Sequence, residues 1–106
     1  IDIDILKAFH QHQIIDKGFG PALGPAAIVH MQSILRDHHF NTVCAASPWT
    51  MDHHDGDLIE QLAIGTARAV REIGTIPRHI VEQWERSRRH ANNCEIGHMD
   101  LFAYKL

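Results

Sequence analysis

The chain has 106 residues, 44% of them hydrophobic and 22% charged, with a formal net charge of -3. That length and apolar content suit one soluble domain or a piece of one, and the slightly negative balance argues against nucleic acid or an anionic membrane as a partner. There is no run of about 18 apolar residues and no signal-like start, so a membrane span is not expected and a cytoplasmic setting is the simplest reading.

Ten histidines are the compositional oddity. They are dispersed rather than tag-like, and because an unperturbed imidazole titrates near ~6.5, mildly acidic solution would add several positive charges. Cys44 and Cys94 lie in separate apolar runs without a Cys-x-x-Cys pairing. Buried free thiols in a reducing compartment are the expectation, with a disulfide between them as the alternative. The chain opens on Ile1 rather than Met, which suggests the remainder of something longer.

In chain order, Ile5, Leu6 and Phe9 recur at helical spacing with Asp4 as a capping residue, so a helix is expected from about Ile5 to Ile15. His10 and His12 stand two apart and point to different sides, which suits the lining of a polar cleft better than the i, i+4 pair a metal needs. The stretch Asp16 to Pro25 carries three glycines and two prolines in ten residues. Proline fixes φ and glycine opens backbone angles closed to other residues, so this is a shaped corner that presents Lys17 and Phe19.

Pro25 suits a first helical turn, and Ile28, Met31, Ile34 and Leu35 form an apolar stripe up to about His38. His38 and His39 then suit the helix C-terminus, where the dipole favours partly charged imidazoles. Phe40 to Ser47 is β-branched in its middle and stopped by Pro48, which reads as a strand inside a covered sheet.

Asp52-His53-His54-Asp55-Gly56-Asp57 is the strongest metal lookalike. A solvated capping turn is the preferred reading, and a metal-dependent hydrolase using His53, His54 and Asp55 is the alternative. Leu58, Ile59, Leu62, Ala63, Thr66, Ala69, Val70 and Ile73 make an amphipathic helix ended by Gly74. Pro77 opens another, with Ile80, Val81, Trp84 and Ala91 on one side and Arg78, Arg86, Arg88 and Arg89 on the other. Glu82 and Glu85 interrupt those arginines, which favours a solvated face over a phosphate-binding one. From Cys94 to Tyr104 the pattern alternates with period two, predicting one long strand. His98 and Asp100 share a face of it and are expected to bond to the ends of covering helices rather than to each other.

The order helix, corner, helix, strand, two helices, strand now combines with specific residues. His10-Gln11-His12-Gln13, Asp16-Lys17-Gly18-Phe19-Gly20-Pro21-Ala22-Leu23-Gly24-Pro25, Ala46-Ser47-Pro48-Trp49 and Ile96-Gly97-His98-Met99-Asp100-Leu101 together resemble the C-terminal part of a bacterial branch of class I S-adenosylmethionine-dependent methyltransferases. The resemblance spans nearly the whole chain, and its specificity rests on the Asp-Lys-Gly-Phe-Gly-Pro corner. It implies an α/β fold, the C-terminal portion of a Rossmann-like sheet, with about four helices and two long strands forming an antiparallel edge pair.

The resemblance also implies a single domain, residues 1-106, without the glycine-rich cofactor-binding half. S-adenosylmethionine would belong to the full-length enzyme, with none bound to this segment, which would be inactive alone. Gly18-Phe19-Gly20 and Gly24 imitate a nucleotide fingerprint, but they follow a helix rather than a strand, and Pro21 removes an amide donor. If Phe40 to Ser47 is a parallel strand, the corner and the Trp49 loop share its carboxyl end, where open α/β sheets bind ligands. Phe19 and Trp49 would then be apolar walls of a pocket for a small-molecule acceptor, with His10, His12, Asp16 and Lys17 as polar contacts. Methyl transfer is an in-line displacement, so the protein's work is alignment and, where needed, removal of a proton. A half-sheet would also expose an edge and apolar surface, so the segment alone is expected to form a homo-oligomer. A small self-associating module with a histidine-based divalent metal site is the alternative reading.

Overall fold

The computed structural model describes residues 2–106 as four α-helices and four strands. The helices are α1 (Asp2–Gln13), α2 (Ala27–Asp37), α3 (Gly56–Ile73) and α4 (Arg78–Arg88). The strands are β1 (Asn41–Ala46), β2 (Trp49–Met51), β3 (Cys94–Ile96) and β4 (Met99–Tyr104), paired as two small antiparallel sheets, β1 with β4 and β2 with β3. No described helix is long and apolar enough to cross a membrane. The chain divides into two compact units, Ile1–Gly24 with Met51–Cys94, and Pro25–Thr50 with Glu95–Leu106.

The first unit is helical, and its core follows directly from the apolar periodicity. Ile5 and Ala8 of α1, Ala67 and Val70 of α3 and Val81 of α4 are almost wholly buried, with Phe9, Ile73, Ile76 and Trp84 packed around them. The alanines let the helix axes approach, and each fully buried Val or Ile contributes about 1.5–3 kcal/mol. α3 ends where Gly74 takes φ 75° and its N–H bonds to the Val70 carbonyl, the left-handed cap expected of that glycine.

Polar contacts fix how the helices meet. Arg71 of α3 pairs with Glu85 of α4, and Arg89 reaches Glu60 at 3.0 Å. Asp2 accepts from Trp84 Nε1 at 2.7 Å and from Arg88 Nη2 at 2.5 Å. The arginine face of the second long helix is therefore not simply solvated. Three of its four arginines, Arg78, Arg88 and Arg89, are paired with acids of the same unit.

The second unit is a thin two-layer arrangement, α2 against the β1–β4 ladder. Asn41 stands opposite Tyr104 and Ala46 opposite Met99. Thr42, Cys44, Leu101 and Ala103 are half-buried, while Asn41, Val43, Ala45, Asp100, Phe102 and Tyr104 are exposed on the other face. All of the fully buried apolar side chains among the described residues belong to the first unit. The strand expected inside a covered sheet thus has only one face partly covered. On α2 it is Ile28 and Leu35 that are half-buried, whereas Met31 and Ile34, expected on the same stripe, are exposed.

Two further expectations change. The helix ends at Gln13 rather than Ile15, because the corner's own hydrogen bonds take over there. The single strand from Cys94 to Tyr104 is broken at Gly97 and His98. The β1–β4 register carries on to set Ser47 against His98, whose carbonyl accepts the Ser47 N–H at 2.8 Å, but the next residue, Pro48, has no N–H to give. A missing donor on one side and a glycine on the other interrupt the ladder, and it resumes as β2–β3. The short strand β2 has no alternation long enough to announce it. Cys44 and Cys94 are free and half-buried rather than fully buried.

Candidate functional site

The corner between α1 and α2 is built by its own residues. Asp16 Oδ1 accepts the N–H of Gly18 at 2.8 Å and of Gly20 at 2.9 Å. These two donors hold the Asp16 carboxyl below the usual carboxylate range, the Gly18 bond being the larger cause. Gly18 and Gly20 adopt φ of 117° and 87°, angles that let both amides turn toward one oxygen. Lys17 Nζ donates to the carbonyls of His12 at 2.5 Å and Ile15 at 3.3 Å, neutralising the free carbonyl end of α1. Gly24 closes the loop: a Cβ there would stand 2.8 Å from Ile14 Cγ2.

The outcome is a braced loop with Phe19 at its tip, 103% exposed. An apolar ring displayed on a fixed backbone loses little entropy when something packs on it. His12 Nε2 lies 2.5 Å from Glu72 Oε2, fastening the end of α1 to α3. His10 is half-buried, its ring 6.4 Å from that of Phe9. Of the six residues expected to contact an acceptor, five belong to the first unit and Trp49 to the second. Asp16, Lys17 and His12 are occupied with structure, which leaves Phe19 and His10 as the corner's presentable groups.

Trp49 stacks on His98, ring centroids 5.3 Å apart and planes 24° from parallel. His98 Nδ1 is 2.7 Å from Ser47 Oγ and 3.4 Å from Asp100 Oδ1. The pairing of His98 with Asp100 corrects the expectation that each would bond to a helix end. The break at Gly97 and His98 releases His98 from strand geometry, so its ring can swing toward its neighbour. Serine, histidine and aspartate together invite comparison with a hydrolytic triad, but that relay needs hydroxyl and carboxylate on opposite ring nitrogens. Here both face Nδ1, so the cluster braces Trp49 instead.

The turn before α3 is a capping box, as the preferred reading expected. Asp52 Oδ1 accepts the His54 N–H at 2.9 Å, and Asp55 Oδ2 accepts the Asp52 N–H at 3.1 Å. Asp55 is thereby committed to the backbone. The carboxylate beside the two imidazoles is that of Asp52.

A shallow, open groove of about 510 Å³ runs beside α1, lined by Ile5, Lys7, Gln11, Ile76, Pro77 and Ile80 among others. None of the expected acceptor residues lines it. Sequence reasoning missed Glu72 as the partner of His12 and Ser47 as the partner of His98, contacts that carry no local signal. No protein-family model, curated protein or solved structure matches the chain.

Proposed function

We propose that this chain is the acceptor-side, C-terminal segment of an S-adenosylmethionine-dependent methyltransferase, inactive by itself. The observation that carries the reading is the antiparallel pairing of β1 with β4, two strands separated in sequence by the α3–α4 excursion. That connection is the one expected for the closing edge of such a sheet. The exposed outer face of the ladder, with Val43 at 54% and Phe102 at 65% exposure, supports a sheet whose second face is covered in a larger domain.

The described residues do not fit the cofactor. The corner amides of Gly18 and Gly20, the only glycine-rich donors that could cradle it, already bond to Asp16. No step through the cofactor is therefore assigned to this segment. Its own contribution is shape: Phe19 offers an apolar surface on a braced loop, His10 a polar group at the end of the same helix, and Trp49 a flat ring held by His98. Phe19 and His10, both on the first unit, would position an acceptor and exclude water from it.

Calorimetric titration of the chain with S-adenosylmethionine, alone and extended by the residues encoded upstream of Ile1, tests the reading. The expected result is no tight binding to the segment and clear binding once a glycine-rich strand-loop-helix is joined to it. Tight binding to the segment alone, or an upstream sequence without such a unit, overturns it.

A further inference from the structure

We propose that Asp52, His53 and His54 form a binding site for a divalent transition-metal ion of the zinc class, with Asp52 rather than Asp55 as the carboxylate ligand. One ligand atom from each of the three lies within 4.8 Å of the others. The backbone that carries them is fixed at both ends. Met51, just before the turn, is 7% exposed, and Ile59, in the first turns of α3, is 3% exposed. The reciprocal Asp52–Asp55 capping bonds set the turn between those anchors. Such a turn gives up little backbone entropy when a metal binds, which distinguishes it from a pair of histidines in a loose loop.

The two imidazoles are already adjacent, ring centroids 3.9 Å apart and planes inclined at 39°. His54 Nδ1 is 3.2 Å from Asp52 Oδ1. Metal–ligand bonds of about 2.0–2.2 Å require ligand atoms roughly 3–3.5 Å apart, so modest side-chain rotations close the set. All three side chains are exposed, and Asp52, whose Oδ1 accepts the His54 N–H, keeps its other oxygen for the metal. Two nitrogens and one carboxylate oxygen select zinc, cobalt, nickel or copper over calcium or magnesium, which demand oxygen-rich shells. With three protein ligands, water completes the coordination and the site stays open to a further ligand.

Two effects oppose binding: full hydration of the ligands and the positive end of the α3 dipole. Asp52 supplies the compensating charge, and micromolar rather than nanomolar affinity follows. The site is separate from the acceptor corner and does not rest on the methyltransferase reading.

The experiment is calorimetric titration of the 106-residue chain with zinc chloride, and with magnesium chloride as the hard-cation comparison. One zinc per chain at micromolar affinity is expected, with no heat from magnesium. His53→Ala and His54→Ala should each weaken zinc at least about tenfold, while Asp55→Asn should leave it within about twofold. Asp52→Asn weakens zinc, and cobalt absorption of the wild type should show two-nitrogen ligation that is lost in the double histidine variant. Asp52, His53 and His54 are exposed and Asp55 is half-buried, and circular dichroism confirms folding of each variant. Full-strength zinc binding by the double histidine variant, no zinc binding by the wild type, or loss of zinc in Asp55→Asn with Asp52→Asn unaffected would each overturn the proposal.

Discussion

Replacing Gly18 or Gly20 with alanine tests whether the corner is braced as described. A Cβ at either position would meet nothing within 4 Å, so neither substitution introduces a steric clash with neighbours. Whatever stability is lost comes from the backbone. At φ 87° Gly20 lies at the edge of the left-handed region, where an L-residue costs about 1–2 kcal/mol. At φ 117° Gly18 lies beyond it, in territory that costs of order 1–3 kcal/mol. Alanine also narrows the unfolded ensemble, which offsets about 0.4–1 kcal/mol. Net losses of about 1 kcal/mol follow for each substitution, slightly larger for Gly18→Ala. For a chain of this size each kcal/mol lowers Tm by roughly 4–8 °C.

Thermal unfolding followed by circular dichroism reads the loss, and hydrogen exchange at the Gly18 and Gly20 amides reads the Asp16 bonds directly. D-alanine introduced at position 20 by semisynthesis supplies the control, because its mirror-image preference accepts positive φ without strain. It should hold Tm or raise it by a few degrees, since it narrows the unfolded ensemble without strain. If L- and D-alanine are equally tolerated, the loop is not held in the described conformation and the argument fails. Under the proposed methyltransferase reading, the same L-alanine substitutions in a longer chain that carries the activity should raise KM for the acceptor while leaving cofactor affinity nearly constant, and the opposite pattern would return the corner to a cofactor role.

Val70 is wholly buried, so Val70→Ala should cost about 2–3 kcal/mol in urea unfolding, and a loss under ~0.5 kcal/mol would mean α3 is not packed as described. His39 closes α2 with φ 66° while the Phe40 N–H reaches the Leu35 carbonyl at 2.9 Å, a place glycine favours, so His39→Gly should raise stability by up to about 1 kcal/mol and a loss would contradict it. Asp2 is held below the usual carboxylate range first by Arg88 and then by Trp84, and Asp16 by the Gly18 and Gly20 amides. Folded-state values below the unfolded ones mean a contribution fully present above the ordinary carboxylate range and lost as pH falls through and below it. The acid limb of stability below about pH 4 should therefore be shallower in a double Asp2→Asn, Asp16→Asn variant, and an unchanged limb would argue against both contacts. The bare outer face of β1–β4 should pair with a second copy when the chain is alone, but a patch of two aromatic rings and a valine is small beside a stable interface of about 1,200–2,000 Å², so weak, concentration-dependent association is expected. Light scattering that reports a single-chain mass at every concentration sinks that expectation, whereas Phe102→Lys should abolish the association.

Much of the fold was legible because its signals are local. The period of α3, the left-handed cap at Gly74, the helix start after Pro77, the β-branched run of β1 and the capping turn at Asp52 each depend on residues within one or two turns of chain. The antiparallel β1–β4 pair was expected only as what the methyltransferase resemblance implies. The corner's rigidity was legible too, since only glycine accepts its backbone angles.

What only the tertiary structure decided are the partners. That Lys17 caps α1 and Asp16 binds its own loop turned two expected acceptor contacts into braces. His12 meets Glu72, sixty positions away, and His98 meets Ser47, fifty-one away. No periodicity encodes such pairs, because they depend on which helix faces or strands pack together and in what register. The break of the last strand shows the same limit: its alternation is unbroken in sequence, and the proline that interrupts it lies on the opposite strand. Backbone preferences act over a few residues and can be read from them, whereas a side chain's chemistry is set by whichever neighbour folding brings within about 3 Å.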